Sequence, residues 1–173
     1  MSDKLPDLID PLMLAERRAV FNGVINIAAL ERLSDFIADS DGVVNVDAVF
    51  AKQGKRAVVS GSIKTQLKLE CQSCLQDFPW PIDVHFKLGV VSSLQETDKL
   101  EIDAEPLLFD GEKLSFNSLI EDEILLALPD YPKHDYDCIT RRSSQDRDYE
   151  TQTTRSEADN PFSVLAKLKK TGE

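Results

Sequence analysis

From residue 43 the chain alternates. Val44, Val46, Ala48 and Phe50 fall on one side of an extended segment, and after Gln53-Gly54-Lys55 a second extended run begins. There Ile63, Thr65, Leu67 and Leu69 share one face, while Lys64, Gln66 and Lys68 share the other. A third run sets Ile82, Val84, Phe86, Leu88 and Val90 against Asp83, His85 and Lys87. Such period-2 patterning marks strands with one buried face, because successive side chains leave opposite sides of a sheet. Residues 43–69 and 82–91 are therefore expected to form an antiparallel β meander or a partly open barrel-like sheet. Its inner side is apolar and its outer side mildly basic. Gly61, inside the second run, marks an expected bulge or bend.

On either side of this block the spacing becomes helical. Asp10-Pro11 opens a short turn of helix through Arg18, the carboxylate capping and proline taking the first helical position. An apolar segment follows around Val20, Phe21, Val24, Ile25 and Ile27. Leu30, Leu33, Phe36 and Ile37 then recur at helical intervals and predict a helix around 28–38, ended by Ser40-Asp41-Gly42. Residues 92–113 read as a mobile loop, a short strand at Leu107-Leu108-Phe109 and an Asp110-Gly111-Glu112 turn. Ser115 caps a second helix, 115–128, which packs through Leu119, Ile120, Ile124, Leu125 and Leu128. Glu121, Asp122 and Glu123 are expected to form one exposed patch, and Pro129 stops the helix. The fold class is α+β, with helices covering the apolar face of the sheet in a single domain, residues 1–140.

Residues 141–159 carry no apolar period and are expected to be a disordered linker. Asn160-Pro161 then starts a short amphipathic basic helix over 160–173. Phe162, Leu165 and Leu168 lie on its apolar face and Lys167, Lys169 and Lys170 on the other. A helix this short is marginal alone, so it needs its own domain or a partner.

Charge changes the picture. The 173 residues carry a net charge of −11, which argues against a general nucleic-acid coat built on excess cations. The acid is concentrated, with 3 lysines against 13 Asp and Glu over residues 92–140. A block of like charge is either a solvated face or a docking surface for a basic partner. Lys64, Lys68 and Lys87 on the outer strand face are the candidate RNA contacts, against the plainer reading that they guard a sheet against edge pairing. No apolar run exceeds five residues (Ile124 to Leu128), far short of a membrane span. With no signal-peptide pattern at the start, the chain is expected in the cytoplasm.

Three cysteines are an odd number with no secretory context, which disfavours a disulfide framework. Cys71-Gln72-Ser73-Cys74 supports metal binding or redox exchange. Redox exchange usually sets the first thiol at a helix N-terminus, which Phe78-Pro79-Trp80-Pro81 disfavours here. Metal binding needs two further ligands, and His134 and Cys138 provide them. Cys71, Cys74, His134 and Cys138 make a candidate Cys3His set for a structural zinc. The alternative is three thiols packed as small apolar groups. No Gly-rich phosphate loop, His-Glu-x-x-His or Gly-x-Ser-x-Gly is present, so an enzyme is not expected.

The order of these features resembles the bacterial large ribosomal RNA subunit accumulation protein family, the YceD-like proteins. The likeness is carried by Leu69 to Leu75 around the cysteine pair, by Glu121 to Pro129, by His134 with Cys138, and by Asn160 to Leu168. It implies a role in the synthesis, processing or stability of large-subunit (23S) ribosomal RNA, with no known catalysis. Family members commonly lie beside the gene for a small basic large-subunit ribosomal protein. The chain departs from branches of the family with more cysteines near Cys138. Two partners follow: the large-subunit ribosomal RNA itself, or a basic large-subunit ribosomal protein held by the acidic face. The second is preferred, with Glu121, Asp122, Glu123, Phe162, Leu165 and Leu168 as its candidate contacts. A zinc- or thiol-dependent enzyme and an adaptor outside the ribosome pathway are the competing classes.

Overall fold

The computed structural model describes residues 5–100 and 103–139. The expected linker 141–159 and terminal helix 160–173, with Phe162, Leu165 and Leu168, lie outside the described residues. The elements in chain order are β1 (Leu8–Ile9), α1 (Pro11–Arg17), β2 (Val20–Asn26), β3 (Val43–Gln53), β4 (Arg56–Glu70), β5 (Asp77–Val91), β6 (Glu105–Leu108), β7 (Leu114–Ser115) and α2 (Phe116–Ala127). The fold is α+β. An open sheet runs β2-β3-β4-β5-β6, antiparallel except for β6, which joins β5 in parallel. β1 and β7 form a separate small pair.

Local chemistry explains most boundaries. The Asp10 carboxylate accepts the backbone N–H groups of Leu12 and Met13, both at 3.0 Å, and Pro11 follows as the first helical residue. Ser115 caps α2 by accepting Ser118 N–H at 3.2 Å, and α2 ends at Ala127, two residues before Pro129. Gln53 pairs with Arg56 across a two-residue turn. Gly54 takes φ 62° there, as the first position of a tight hairpin turn demands.

The inner sheet face supplies the core. Val44, Val46, Ala48 and Phe50 of β3 and Ile63, Leu67 and Leu69 of β4 are all buried, as alternation predicts. Phe21 meets Phe50 and Phe116 edge-on, with ring centroids 5.3 and 5.8 Å away, and so joins β2, β3 and α2.

Four expectations need correction. Residues 28–38 form two 3-10 turns, Ile27–Ala29 and Glu31–Asp35, instead of an α-helix. Leu33 N–H, which an α-helix would give to a carbonyl four residues back, goes to the Glu121 carboxylate at 3.1 Å. Leu30 and Leu33 are core residues, but Phe36 is 60% exposed. Gly61 makes no bulge, since the β3–β4 and β4–β5 registers run through it unbroken. It is instead a site of close approach: a Cβ there would stand 2.1 Å from Asp47 O and 2.7 Å from Phe86 Cζ.

The third strand starts at Asp77, five residues earlier than its alternation, and includes Pro79 and Pro81. β6 pairs only with Leu88–Val91, so β5 is an edge at both prolines and their missing N–H groups cost no ladder bond. Finally, the exposed acidic patch of α2 does not exist as expected: Glu121 is 4% exposed and Glu123 8%.

Candidate metal centre and charged surfaces

The loop between β4 and β5 is short and closed by its own backbone. Cys71 N–H donates to Gln76 O at 3.0 Å, and Leu75 N–H donates to Cys71 O at 2.8 Å. Leu75 pays for the tightness with φ 58°, a left-handed conformation unusual for a leucine. This turn brings Cys71 and Cys74 to one side of the loop.

The segment after α2 returns to the same place. Gln72 N–H donates to Pro132 O at 2.9 Å, fixing 130–134 against the loop. His134 Nδ1 then lies 3.5 Å from Cys74 Sγ, and its ring stacks at 39° on Phe78, with centroids 4.7 Å apart. The donor atoms of Cys71, Cys74 and His134 lie within 4.8 Å of one another. The three thiols are buried and unbridged.

The electrostatics single out Cys71. Burial by itself pushes its thiol up. The backbone N–H groups of Cys74, His134 and Ser73, with the His134 ring, are aimed at the sulfur and bring it down to about 5. Ser73 N–H lies 3.4 Å from the sulfur. A sulfur that gathers several donors is held as thiolate, the form in which cysteine ligates a metal or attacks. The loop is a hairpin, without the helix N-terminus usual for thiol exchange. The buried Cys71 and Cys74 thiols beside the half-buried His134 imidazole are compatible with a metal site.

The outer sheet face carries the other predicted residues. Lys64 Nζ lies 3.1 Å from Asp83, Lys68 2.5 Å from Asp39, and Lys87 2.9 Å from Asp103. Hydrogen bonds from Lys68 and Lys87 hold the Asp39 and Asp103 carboxyls below their usual range. The three lysines therefore share a strand face, each with its own counter-charge.

On α2 the acidic triplet divides. Glu121 turns inward to Arg32 and Leu33. Asp122 is exposed and takes the Arg32 guanidinium at 2.7 Å. Glu123 faces a groove between α2 and β6, together with Glu105. Burial first, then the charges of Glu105 and Asp122, push the Glu123 carboxyl up to about 7.

Sequence reasoning missed Phe78, Glu105 and the inward turn of Glu123. A signal for Glu123 exists, since Phe116, Leu119, Ile120, Glu123 and Ile124 follow the i, i+3, i+4, i+7, i+8 stripe of a buried helix face. No comparable signal marks Phe78 or Glu105.

Comparison with known proteins bears on these sites. The family model described as large ribosomal RNA subunit accumulation protein YceD matches residues 59–169. That span includes Cys71, Cys74, His134, Cys138 and α2. A protein of Haemophilus influenzae called large ribosomal RNA subunit accumulation protein YceD is 29% identical over 170 residues, covering 96% of this chain and 97% of its own. No solved structure matches. Among the described residues, no helix is long and apolar enough to cross a membrane.

Proposed function

The chain belongs to the family of large ribosomal RNA subunit accumulation proteins, YceD, and on that footing we propose that it is a non-enzymatic ribosome biogenesis factor of the cytoplasm. It supports the synthesis, processing or stability of 23S ribosomal RNA. Its acidic surface binds a basic large-subunit ribosomal protein, so its effect on the RNA is indirect. The observation that carries this form of the reading is the pairing of Lys64, Lys68 and Lys87 with Asp83, Asp39 and Asp103. Phosphate binding draws its free energy from cations that release counterions, and these three already spend their charge on neighbours. The 13 Asp and Glu of residues 92–140 supply the opposite field, which speeds and selects encounter with a basic protein.

A structural zinc belongs to the same reading. Cys71, Cys74, His134 and Cys138 would hold it, and its chemistry there is to cross-link the β4–β5 loop to the segment after α2. Four protein ligands leave no open position for a substrate, which separates this reading from a zinc enzyme.

The test uses cells lacking the protein. Sucrose-gradient ribosome profiles and precursor 23S RNA are measured, and the tagged full chain is cross-linked in cells to identify its direct contact. A deficit of large subunits with a basic ribosomal protein as the direct contact supports the reading. Tight binding of the purified protein to a large-subunit RNA fragment, unaffected by loss of its acidic groups, refutes the indirect mechanism.

A further inference from the structure

The groove between β6 and α2 encloses about 420 Å³. Leu88, Leu107 and Leu126 give it apolar walls, and Glu105, Asp122 and Glu123 stand in it. Leu126 is 74% exposed, so one wall is an open leucine on the helix surface. Glu123 differs from its two neighbours. It is only 8% exposed, yet no hydrogen bond or ion pair reaches its carboxyl from the described residues, and burial and like charges alone act on it. Among the described residues no side-chain oxygen is both sealed and unsatisfied, so the Glu123 carboxyl opens into the groove that it lines. Around it stand Glu105 from β6 and Asp122 from its own helix. The guanidinium of Arg32, which reaches Asp122, is engaged with Glu121 as well.

A buried carboxyl without a donor is costly. An apolar residue between Ile120 and Ile124 would fill the helix stripe at no such cost. The position is instead suited to receiving a cation from outside. A hydrated metal ion would meet leucine walls on most sides. A lysine or arginine side chain matches both features, because its aliphatic stem packs on apolar surface while its head pairs with carboxylates.

We propose that this groove binds a basic partner polypeptide, a lysine or arginine side chain pairing with Glu123 while neighbouring aliphatic residues pack on Leu107 and Leu126. Charge complementarity selects that occupant, since the groove lies in the most acidic part of a chain of net charge −11. The inference rests on the reading of the acidic surface as a receptor for a basic protein, and narrows that surface to one seat. An amphipathic helix laid in a groove is the matching recognition mode.

The test titrates the full-length protein into two labelled amphipathic helical peptides, identical except that arginine in one is glutamine in the other. Fluorescence anisotropy should give about tenfold tighter binding of the arginine peptide. Glu123→Gln should remove most of that advantage, and Leu126→Asp should weaken both peptides. Binding of the arginine peptide should strengthen as pH rises through about 7, where Glu123 ionises. Equal affinity for the glutamine peptide, or full affinity in Glu123→Gln, overturns the proposal. A photoreactive residue in place of Leu126 identifies the occupant. Cross-links to the added arginine peptide support the proposal, and cross-links to residues 160–173 of the same chain overturn it in favour of an internal occupant. Peptide binding as expected in a protein whose loss leaves 23S RNA normal would keep the groove and discard the biogenesis reading. Failure of the peptides with a clear large-subunit defect would do the reverse.

Discussion

Arg32 Nε lies 2.7 Å from Glu121 Oε2, a contact that joins a 3-10 turn to α2 across 89 positions of sequence. The other Glu121 oxygen accepts Leu33 N–H at 3.1 Å. With its side chain 5% exposed, Glu121 is a structural cross-link. Its truncation leaves a buried N–H and half an ion pair. Glu121→Ala should therefore cost about 2–4 kcal/mol by denaturant unfolding, whereas Asp122→Asn, on the exposed side of the same arginine, should cost no more than about 1 kcal/mol. Equal effects of the two would mean that the buried half of the network is not formed.

Glu123 should make stability depend on pH in the direction opposite to a salt-bridged acid. Its carboxyl titrates at about 7 in the fold and near an ordinary glutamate value when unfolded. Between those values the folded state holds more protons than the unfolded one, so stability falls as pH rises from about 4.5 to about 7. Glu123→Gln removes this slope, and at pH 8 it should be the more stable protein by about 1–3 kcal/mol. Urea midpoints at pH 5 and pH 8 check it; a variant less stable than its parent at pH 8 refutes the placement.

The cysteine group predicts metal content. Protein purified under reducing, chelator-free conditions should carry one zinc per chain by elemental analysis. Cys74→Ser and His134→Ala should each lower occupancy by about tenfold or more, with a lower melting temperature. Chelator should reproduce the destabilisation in the parent and leave both variants unchanged. Metal-free protein of full stability would refute a structural zinc.

Gly61→Ala should cost about 2 kcal/mol or more, since the new methyl meets Asp47 O at 2.1 Å. Phe86→Leu would withdraw the ring but not the backbone oxygen, so the double variant should recover only part of the loss. Full recovery would place the strain on the ring alone.

Much of this protein is legible in one dimension. The alternation of residues 44–50, 63–69 and 82–90 determines which faces of β3, β4 and β5 are buried, because side-chain direction in a strand depends only on parity. Asp10-Pro11, Ser115 and Pro129 set helix ends for an equally local reason, as caps and prolines act on their own backbone. Cys-x-x-Cys and His-x-x-x-Cys named the candidate ligands by residue type and spacing. The meeting of Cys74 with His134 needed the fold, since the 59-residue gap between them closes only through the β4–β5 hairpin and the return of the chain after α2. Tertiary structure alone decided the rest. Leu33 N–H found a carboxylate on another element, so a helical pattern became 3-10 turns. The lysines of a strand face met aspartates from β5, from the loop before β3 and from the loop before β6. In α2, three consecutive acids received three environments, because successive residues in a helix point about 100° apart and only the surrounding elements determine what lies in each direction.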